Sequence, residues 1–396
     1  MSLREAFIVS PVRSAIGRYG KGTLKDTRSD DFGAEVVKEV LKRTPQVDPK
    51  EIDDLIVGNA MPEAAQGMNF ARILGCNAGL PYEVSAITIN RFCSSGLNAI
   101  AMAAEKIMAG YSEIVMAGGS ESMSQIPMGG FNPSMNPTLM SVWPEVYTPM
   151  GVTAEKVARK YGLTRQDQDE YAYNSHMKAV KAIKAGKFKE QILPLKVKVY
   201  SDIGTGIPKI KEVVFDTDEN PRADTTVEGL AKLRPVFATL PNGTVTAGNS
   251  SPMNDGASFC LVMDGDTVKK TGVKPMGKFK YFTVAGTPPE IMGVGPYYAI
   301  SKLFKRTGRK ADDIGVYEVN EAFASQAMWC CKELGLPMDR VNVNGGAIAL
   351  GHPLGCTGAK LTTQLLYEMK ERKAKYGIVS MCIGGGMGAA GLYELV

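Results

Sequence analysis

Short apolar segments alternate with segments of helical character along most of the chain. In the first third, runs rich in Val and Ile are bounded by polar or glycine residues, a pattern typical of strands. These runs are REAFIVSP, DDLIVGNAM, EVSAITIN and SEIVMAGGSES, and VYEVNEAF and YGIVSMCIGGG near the end have the same character. The alternation predicts an α/β protein built from layers of helices and strands.

The two ends of the chain resemble each other. KEIDDLIVGNAM parallels RKADDIGVYEVNEAF: both have an acidic pair, an apolar strand and then an asparagine. Asn59 precedes Cys93 by 34 residues, and Asn320 precedes His352 by 32. After each of these positions come a small-residue helix start, an amphipathic helix, an apolar strand and a glycine turn. We predict two similar α/β halves, interpreted as a duplication, with chance similarity between generic βαβ units as the alternative.

Residues 123–250 differ from both halves, because they are rich in Pro, Met, Lys and Asp and contain fewer clear strands. Within them, LTRQDQDEYAYNSHMKAVKAIKAGKF predicts a helix. Thr164 is its expected N-cap, with Asp167 completing an acidic variant of the capping box and Gly186 ending the helix. We interpret this region as an inserted lid or loop domain.

Size and composition restrict the classes of function. The chain has 396 residues with 44% hydrophobic and 22% charged residues, as in a globular protein of two or three domains. The net charge of +5 is mild, and no basic–aromatic stripe indicates nucleic-acid binding. No apolar run approaches the roughly 18 residues of a membrane span, and the N-terminus lacks a signal-peptide pattern. We therefore expect a cytoplasmic enzyme that handles small anionic molecules.

The chain contains few cysteines and histidines. Seven cysteines without CxxC pairs indicate neither a disulfide framework nor a zinc site, so no metal is expected. His176 and His352 are the two histidines, so a mechanism that requires imidazole has two candidates.

Cys93 lies where an extended apolar segment changes into small residues that open a helix, in TINRFCSSGLNAI. Backbone N–H groups and the helix dipole at such a position favour a thiolate. Ser94, Ser95 and Gly96 leave space for a substrate to reach those donors. Cys93 is therefore a candidate nucleophile, although free cysteines are often inert core residues.

Two glycine-rich turns carry further candidates. His352 lies in GGAIALGHPLGCTGAK, where Pro353 favours an extended backbone, and a helix is expected to begin near Leu354. An imidazole there could serve as general base for a thiol, or could be satisfied by the turn itself. Cys382 ends a buried-type strand before three glycines whose N–H groups, that of Gly384 included, could form an oxyanion hole.

Asn320 follows the strand VYEV in NEAFASQA. A strand-end asparagine can hold a water molecule or polarise a carbonyl, and Glu321 can orient its neighbours. The alternative structural role is to cap the helix EAFASQAMWCCKEL, which would not exclude the functional one.

The blocks NRFCSSGLNAI, NEAFASQ, GHPLGCTGA and CIGGGMGAA resemble the signature blocks of the thiolases, and the similarity runs essentially end to end. This resemblance implies duplicated βαβαβαββ halves in a five-layer αβαβα sandwich with an inserted loop domain. The expected domains are residues 1–265, an N-terminal half that includes the insertion, and residues 272–396, a C-terminal half.

The same resemblance assigns roles to the candidates. Cys93 takes the acyl group as a thioester, His352 activates that thiol, and Cys382 moves the proton at the α-carbon of acetyl-CoA. Asn320, through a bound water, and His352 form one oxyanion hole. The N–H groups of Cys93 and Gly384 form the other.

The resemblance also makes coenzyme A (CoA) a substrate, with no tightly bound cofactor. It places the pantetheine arm near Ser251, makes Arg222 a candidate for the adenine nucleotide, and adds Met292 to the substrate-binding residues. A lysine series could attract the phosphates, although a solvated helix face is the favoured interpretation. These lysines are Lys178, Lys181, Lys184, Lys187 and Lys189. His176 is given no catalytic role.

The remaining cysteines are interpreted as packing residues, with Cys356 expected nearest to the site. They are Cys76, Cys260, Cys330, Cys331 and Cys356.

Substrate length and assembly are less well determined. The blocks look more like those of degradative 3-ketoacyl-CoA thiolases of β-oxidation, and Pro149 stands where acetoacetyl-specific enzymes commonly have histidine. We therefore expect a 3-ketoacyl-CoA thiolase, with acetoacetyl-CoA thiolase as the alternative, and a homodimer or homotetramer. A decarboxylating ketosynthase usually needs two active-site histidines, and Cys382 occupies the second position. A lipid-binding relative without activity would be expected to have lost a cysteine or histidine of the site.

Overall fold

In a computed structural model, which describes residues 3–201, 209–237 and 242–396, the predicted strands and helices form one large mixed sheet with helices on both faces. The strands in chain order are β1 (Ala6–Ser14), β2 (Gly17–Arg18), β3 (Asp54–Gly58), β4 (Ser85–Ile89), β5 (Ile114–Ser122), β6 (Ile192–Leu193), β7 (Leu195–Ser201), β8 (Lys209–Phe215), β9 (Asn254–Asp264), β10 (Pro275–Gly286), β11 (Val316–Val319), β12 (Tyr376–Ile383) and β13 (Met387–Leu395).

The helices, with short 3-10 turns between some of them, lie on both faces of this sheet or in the inserted region. They are α1 (Ser29–Arg43), α2 (Phe70–Asn77), α3 (Ser95–Met108), α4 (Pro137–Val142), α5 (Met150–Lys160), α6 (Arg165–Lys184), α7 (Val227–Ala231), α8 (Gly265–Thr271), α9 (Gly295–Thr307), α10 (Ala324–Glu333), α11 (Ala347–Leu350) and α12 (Leu354–Arg372).

The strand order shows the internal duplication. The N-terminal half has the order β4-β3-β5-β9-β1, and the C-terminal half has β11-β12-β13-β10, in which each strand matches its counterpart in position and direction. The counterpart of β4 is reduced to a single parallel bridge between Tyr317 and Val341. Asn342 follows at φ 44°, outside the extended region, so the chain cannot continue there as a strand.

The two halves are joined edge to edge by antiparallel pairing of β1 with β10, from Ala6 opposite Phe279 to Val9 opposite Pro275. The expected layers are present: α1 and α2 pack on the outer face of one half, α9 packs on the outer face of the other, and α3 and α12 lie between them. The strand layers are thus connected through one continuous ladder. The domain boundary between 265 and 272 stays a prediction.

The central helices α3 and α12 pack against each other at glycine residues. A Cβ atom on Gly358 would lie 2.2 Å from the backbone nitrogen of Leu97, which is far inside contact distance. Around this crossing, buried Ala, Leu and Ile side chains from both halves form one cluster, in which Leu97, Ile100 and Leu365 are fully buried. This close packing fixes the N-terminal ends of the two helices relative to each other.

The inserted region contains α4 to α7 and β6 to β8. Its long helix α6 begins and ends as predicted: Thr164 and Asp167 form a capping box, and Gly186 adopts φ 71°. The region is tied into the core, because β6 pairs in parallel with β1 and Asp218 binds the buried Arg13 guanidinium at 2.7 Å. Among the described residues, no helix is long and apolar enough to cross a membrane.

Candidate active site

The predicted chemical groups lie at the carboxyl ends of strands or in the turns that precede the central helices. Cys93 follows β4, Asn320 follows β11, and Cys382 is the last residue but one of β12. His352 lies between the Val341 bridge and α12, which is the position that Cys93 occupies between β4 and α3. The duplication therefore explains how distant sequence blocks come together: each half supplies one turn before its central helix.

The turn that carries Cys93 is held in an unusual conformation. Phe92 has φ 43°, a value that a bulky residue adopts only when its surroundings impose it. Asn90 Oδ1 accepts from Phe92 N at 2.8 Å, and Ser95 Oγ donates to Phe92 O at 2.7 Å and accepts from Arg91 N at 2.9 Å. These side-chain bonds replace the strand and helix bonds that the turn lacks, and they hold the backbone that leads into Cys93.

The Cys93 sulfur is faced by two backbone donors. The N–H groups of Cys93 itself and of Gly384 bind it and lower its pKa, but burial has the larger effect and raises the pKa to about 12. The expectation that the helix N-terminus favours a Cys93 thiolate is therefore wrong, because burial raises the pKa of the thiol instead. The α-helix α3 begins only at Ser95, and Cys93 lies in a buried 3-10 turn, so desolvation outweighs the helix dipole.

Cys382 lies close enough to Cys93 for a charge on Cys93 to disfavour ionisation of the Cys382 thiol. Burial first, and then the nearby Cys93, raise the pKa of Cys382. The glycine turn after it needs glycine at Gly386, where φ is 91° and a Cβ would lie 2.4 Å from Thr287 O. At Gly384 a Cβ would meet the Phe92 ring at 3.7 Å, an ordinary contact, so what matters at that position is the N–H group.

His352 is buried and held at its backbone and at both ring nitrogens. Its backbone N donates to Asn254 Oδ1 at 2.9 Å, and its Nδ1 lies 2.6 Å from Thr357 Oγ1. Burial, followed by the nearby Lys360 ammonium, lowers the pKa of the imidazole to about 3. The ring is therefore neutral at physiological pH, with a proton on one nitrogen and a lone pair on the other. Leu354, two residues further on, packs in the same cluster as Cys93.

Asn320 contacts His352 directly. Its Nδ2 lies 3.3 Å from His352 Nε2, while its buried Oδ1 has no hydrogen-bond partner within the described ranges. An unsatisfied buried carbonyl oxygen is a position where a water molecule is expected. Asn320 does not cap the following helix, because α10 begins at Ala324 with Phe323 as its N-cap, so that structural alternative is wrong.

A buried carboxylate connects the two halves below the site. Glu121 Oε2 accepts from Ala60 N at 2.7 Å and from Gly355 N at 2.8 Å, and Oε1 accepts from Gln66 Nε2 at 2.8 Å. Gly355 opens the helix that follows His352, so Glu121 fixes the histidine turn to the N-terminal half. Glu321 plays a similar part in the other half, where it accepts from Asn342 Nδ2 at 2.9 Å.

A cavity of about 460 Å³, within the size range of small-molecule sites, is lined by Ile348 of α11, four residues before His352, but by neither Cys93 nor Cys382. Arg222 lines it as predicted, with Arg18, Asn220 and His176 nearby on the wall. His176 has no contact with the sulfurs: its Nδ1 accepts from Arg222 N at 3.2 Å. Apolar residues such as Leu230 also line the cavity.

Ser251 lies in a loop bound to Ala322, whereas Met292 lies in the apolar cluster around Cys382. Ser251 N donates to Ala322 O at 2.9 Å, which ties the loop after the cavity-lining Gly248 to the Asn320 segment. Met292 is almost fully buried and packs with Cys382 and Ala322.

The lysine series is not part of the cavity wall. Lys178 Nζ donates to Val341 O at 3.1 Å, and Lys187 pairs with Glu371. Lys181, Lys184 and Lys189 lie on exposed surface. The solvated-face interpretation is the one that these contacts support.

The other cysteines are buried except for Cys76, which is exposed at the end of α2, so its prediction as a packing residue was wrong. No group of three or more His, Cys, Asp or Glu side chains suited to a metal ion occurs in the part of the chain that the structure describes.

Sequence reasoning missed several residues of the site. Thr357, Glu121 and Lys360 contact the histidine turn, and Arg18 and Asn220 line the cavity. Thr357 stands five residues after His352 in a quoted motif and could have been found from helical geometry. The others act across the fold, and local patterns contain no signal for such contacts.

Comparison with known proteins agrees with this architecture. Residues 6–266 match the profile of the thiolase N-terminal domain, and residues 273–395 match that of the thiolase C-terminal domain.

Individual relatives match over the full length. The 3-ketoacyl-CoA thiolase of Bacillus subtilis (strain 168) is 53% identical over 394 residues, covering 99% of this chain and 100% of that protein. The peroxisomal 3-ketoacyl-CoA thiolase 5 of Arabidopsis thaliana is 43% identical, covering 98% of this chain and 84% of its own length. The crystal structure of the Bacillus anthracis acetyl-CoA acetyltransferase superposes with a TM-score of 0.89 at 40% identity, covering 100% of both chains.

Proposed function

The chain belongs to the thiolase family, and we propose that it cleaves 3-ketoacyl-CoA with a second CoA to give acetyl-CoA and a shortened acyl-CoA. The reverse reaction is a Claisen condensation. The enzyme is an acyltransferase, and its curated relatives at 43–53% identity carry the name 3-ketoacyl-CoA thiolase. The observation that carries the proposal is the meeting of two thiols with the Gly384 N–H group in one buried place.

In the first step, Cys93 attacks the 3-keto carbon of the substrate. His352 takes the thiol proton at Nε2, the ring nitrogen that faces Asn320. Since Cys93 is a thiol and His352 a neutral imidazole in the resting site, the proton moves only when the bound substrate receives the sulfur electrons. The resulting alkoxide is bound by the N–H groups of Cys93 and Gly384, and each such donor is worth ~2.7–4 kcal/mol.

In the second step, the bond between carbons 2 and 3 breaks and the enolate of acetyl-CoA leaves. His352, now carrying a proton on Nε2, donates a hydrogen bond to the enolate oxygen, together with a water held by Asn320. Cys382 gives its thiol proton to the enolate carbon, which completes acetyl-CoA and leaves an acyl thioester on Cys93. A positioned acid or base of this kind contributes roughly 100- to 10,000-fold in rate.

In the third step, a new CoA thiol replaces acetyl-CoA. The Cys382 thiolate takes the proton of the CoA thiol, whose sulfur attacks the acyl thioester. Cys93 leaves as a thiolate and recovers its proton from His352. Every proton is therefore returned, and the site is restored after one turnover.

CoA is assigned to the cavity that contains Arg222. Arg222 lines the cavity, and a guanidinium is suited to binding phosphate or stacking on an adenine face. The pantetheine arm would pass Ser251 towards Cys93, and Met292 would lie beside the acyl group. No tightly bound cofactor enters this proposal.

The preference for 3-ketoacyl-CoA of more than four carbons rests on the relatives and on Pro149, which forms the N-cap of α5 and cannot donate a backbone hydrogen bond. The test compares rates on acetoacetyl-, 3-ketohexanoyl- and 3-ketopalmitoyl-CoA, following the CoA-dependent loss of the enolate absorbance. Turnover of acetoacetyl-CoA alone would support an acetoacetyl-CoA thiolase instead. No turnover of any of the three substrates by pure folded protein would refute the proposed thiolase activity.

A role in fatty-acid β-oxidation, a cytoplasmic location and a homodimer or homotetramer are parts of the same proposal. Cell fractionation and light scattering on the purified chain test the last two.

A further inference from the structure

The His352 ring is contacted by a polar group at each nitrogen. Thr357 Oγ1 lies 2.6 Å from Nδ1, and Asn320 Nδ2 lies 3.3 Å from Nε2. A neutral imidazole has one N–H and one lone pair, so the nitrogen that carries the proton decides which one can act as a base. The mechanism proposed above requires the lone pair on Nε2.

The hydrogen bonds of Thr357 indicate which tautomer is present. Its hydroxyl has a single proton, and Oγ1 lies 2.9 Å from Pro353 O, four residues earlier on α12. A carbonyl oxygen can only accept, so the hydroxyl proton points to Pro353. Oγ1 is then left with lone pairs towards His352, and the partner at 2.6 Å must be Nδ1–H.

The opposite side of the ring is consistent with this assignment. Asn320 presents its amide Nδ2, a donor, to Nε2, and a donor requires a lone pair on the ring. If the proton were on Nε2, two donors would face each other unless the Asn320 amide turned over. Thr357 and Asn320 contact opposite nitrogens of the ring and belong to different parts of the fold, and both contacts indicate the same tautomer.

We propose that Thr357 is a positioning residue that fixes His352 in the Nδ1–H tautomer and so directs the Nε2 lone pair at the reacting thiol. Its action is indirect, since the hydroxyl touches the imidazole and not the substrate. In the catalytic cycle the Nδ1 proton never leaves, and Nε2 alone gains and loses a proton. The role in activity rests on the thiolase reaction proposed above, whereas the tautomer can be observed without it.

The chain is suited to a direct measurement, because His176 and His352 are its two histidines. Long-range ¹H–¹⁵N correlation spectra of ¹⁵N-histidine-labelled protein report which nitrogen of each ring carries hydrogen, and His176→Gln assigns the signals. We expect His352 to show a protonated Nδ1 and an unprotonated Nε2. A protonated Nε2 in the wild-type protein would overturn the proposal.

Thr357→Val removes the hydroxyl at nearly constant shape. We expect kcat to fall about 10- to 100-fold, the range seen when the hydrogen-bond partner of a metal-bound histidine is removed, with KM nearly unchanged. The tautomer signals should become mixed, and Thr357→Ser should restore both kcat and the wild-type spectrum. Wild-type kcat with the wild-type spectrum in Thr357→Val would contradict the role of Thr357.

Thr44→Val is the matched control, because Thr44 is buried, donates from Oγ1 to Val40 O at 2.8 Å in the same way, and lies at the end of α1. It should lower stability without altering kcat or the His352 spectrum. If Thr357→Val fails to fold, the wild-type spectrum still decides the tautomer. If the wild-type protein is inactive but shows the Nδ1–H tautomer, the thiolase function is refuted and the tautomer assignment stands. If it is active but shows the Nε2–H tautomer, the thiolase function stands and the tautomer assignment is refuted.

Discussion

At the scale of single residues, desolvation determines the protonation states of the Cys93 thiol and the His352 imidazole. Burial raises the pKa of Cys93 to about 12 and lowers that of His352 to about 3, so both groups are neutral before substrate binds. Such a site differs from a thiolate–imidazolium pair, which is charged and reactive at rest. A neutral site protects the nucleophile from other electrophiles, and the substrate supplies the electron acceptor that makes proton transfer possible.

The first prediction concerns the reactivity of Cys93 in the absence of substrate. In a Cys76→Ser background, which removes the exposed thiol, the rate of iodoacetamide alkylation at Cys93 should rise about tenfold per pH unit between pH 6 and 9. The physical reason is that the thiolate fraction grows tenfold per unit below the pKa. Peptide mass spectrometry after timed quenching gives the rate. A plateau near pH 7 would show a thiolate already formed.

The second prediction separates the two sulfurs. Cys382→Ser removes the proton carrier and leaves Cys93 in place, so carbon–carbon bond formation should fall roughly 100- to 10,000-fold. Acetyl transfer from acetyl-CoA to Cys93, measured by exchange with labelled CoA, should fall less and remain detectable, because His352 can take the Cys93 proton and pass it to the departing CoA sulfur without Cys382. Equal loss of both activities would contradict the division of labour between the thiols.

The sequence pointed to these candidate residues, but it gave little indication of the side chains that contact them in the fold. Cys93, His352 and Cys382 stand at boundaries between strands, turns and helices, where local patterns are informative. The Thr357 contact required the helix geometry, and Glu121 acts from 234 residues away on Gly355, so only the fold reveals it. The pKa of Cys93 was expected in the wrong direction, because burial in the folded protein cannot be read from a local motif.

At the scale of elements, two glycine-lined helices determine where the site forms. The helices α3 and α12 carry the Cys93 and His352 turns at matching ends, and they approach each other through Gly358. The alternation of strands and helices was predictable from the hydrophobic pattern, and so were the capped ends of α6. The absence of a full counterpart to β4 in the C-terminal half was not predictable, because it depends on the conformation of Asn342.

The third prediction tests this helix crossing. Gly358→Ala should destabilise the protein by about 1–3 kcal/mol, the usual cost of overpacking, because its Cβ would lie 2.2 Å from Leu97 N. Gly286→Ala is the control, since no atom lies within 4 Å of a Cβ there. Urea denaturation of both variants gives the comparison. Equal stability of the two would show that the helices can separate without cost.

At the scale of the whole molecule, both buried histidines connect stability to pH. Burial, and then the Arg222 charge, lower the pKa of His176 to about 4, and the pKa of His352 is about 3. The unfolded chain protonates its histidines near pH 6.5, and the folded chain does not. Each histidine therefore removes stability as the pH falls below 6.5, and has no effect above it.

The fourth prediction isolates one of these contributions. His176→Gln keeps an acceptor for the Arg222 N–H group and cannot take up a proton. Between pH 6 and 4.5 the loss of stability should be shallower than in the wild type by up to about 1.4 kcal/mol per pH unit. Urea denaturation at several pH values measures the slope. Parallel curves for the two proteins would show that His176 is not held neutral by the fold.

The most direct measurement of the central claim is the site of the covalent intermediate. After rapid quenching of the wild-type protein with acetyl-CoA, mass spectrometry of the intact chain and its peptides should find one acetyl group, on Cys93. The Cys93→Ser variant should carry none. Acetylation at another residue, or an undiminished adduct in Cys93→Ser, would contradict the account.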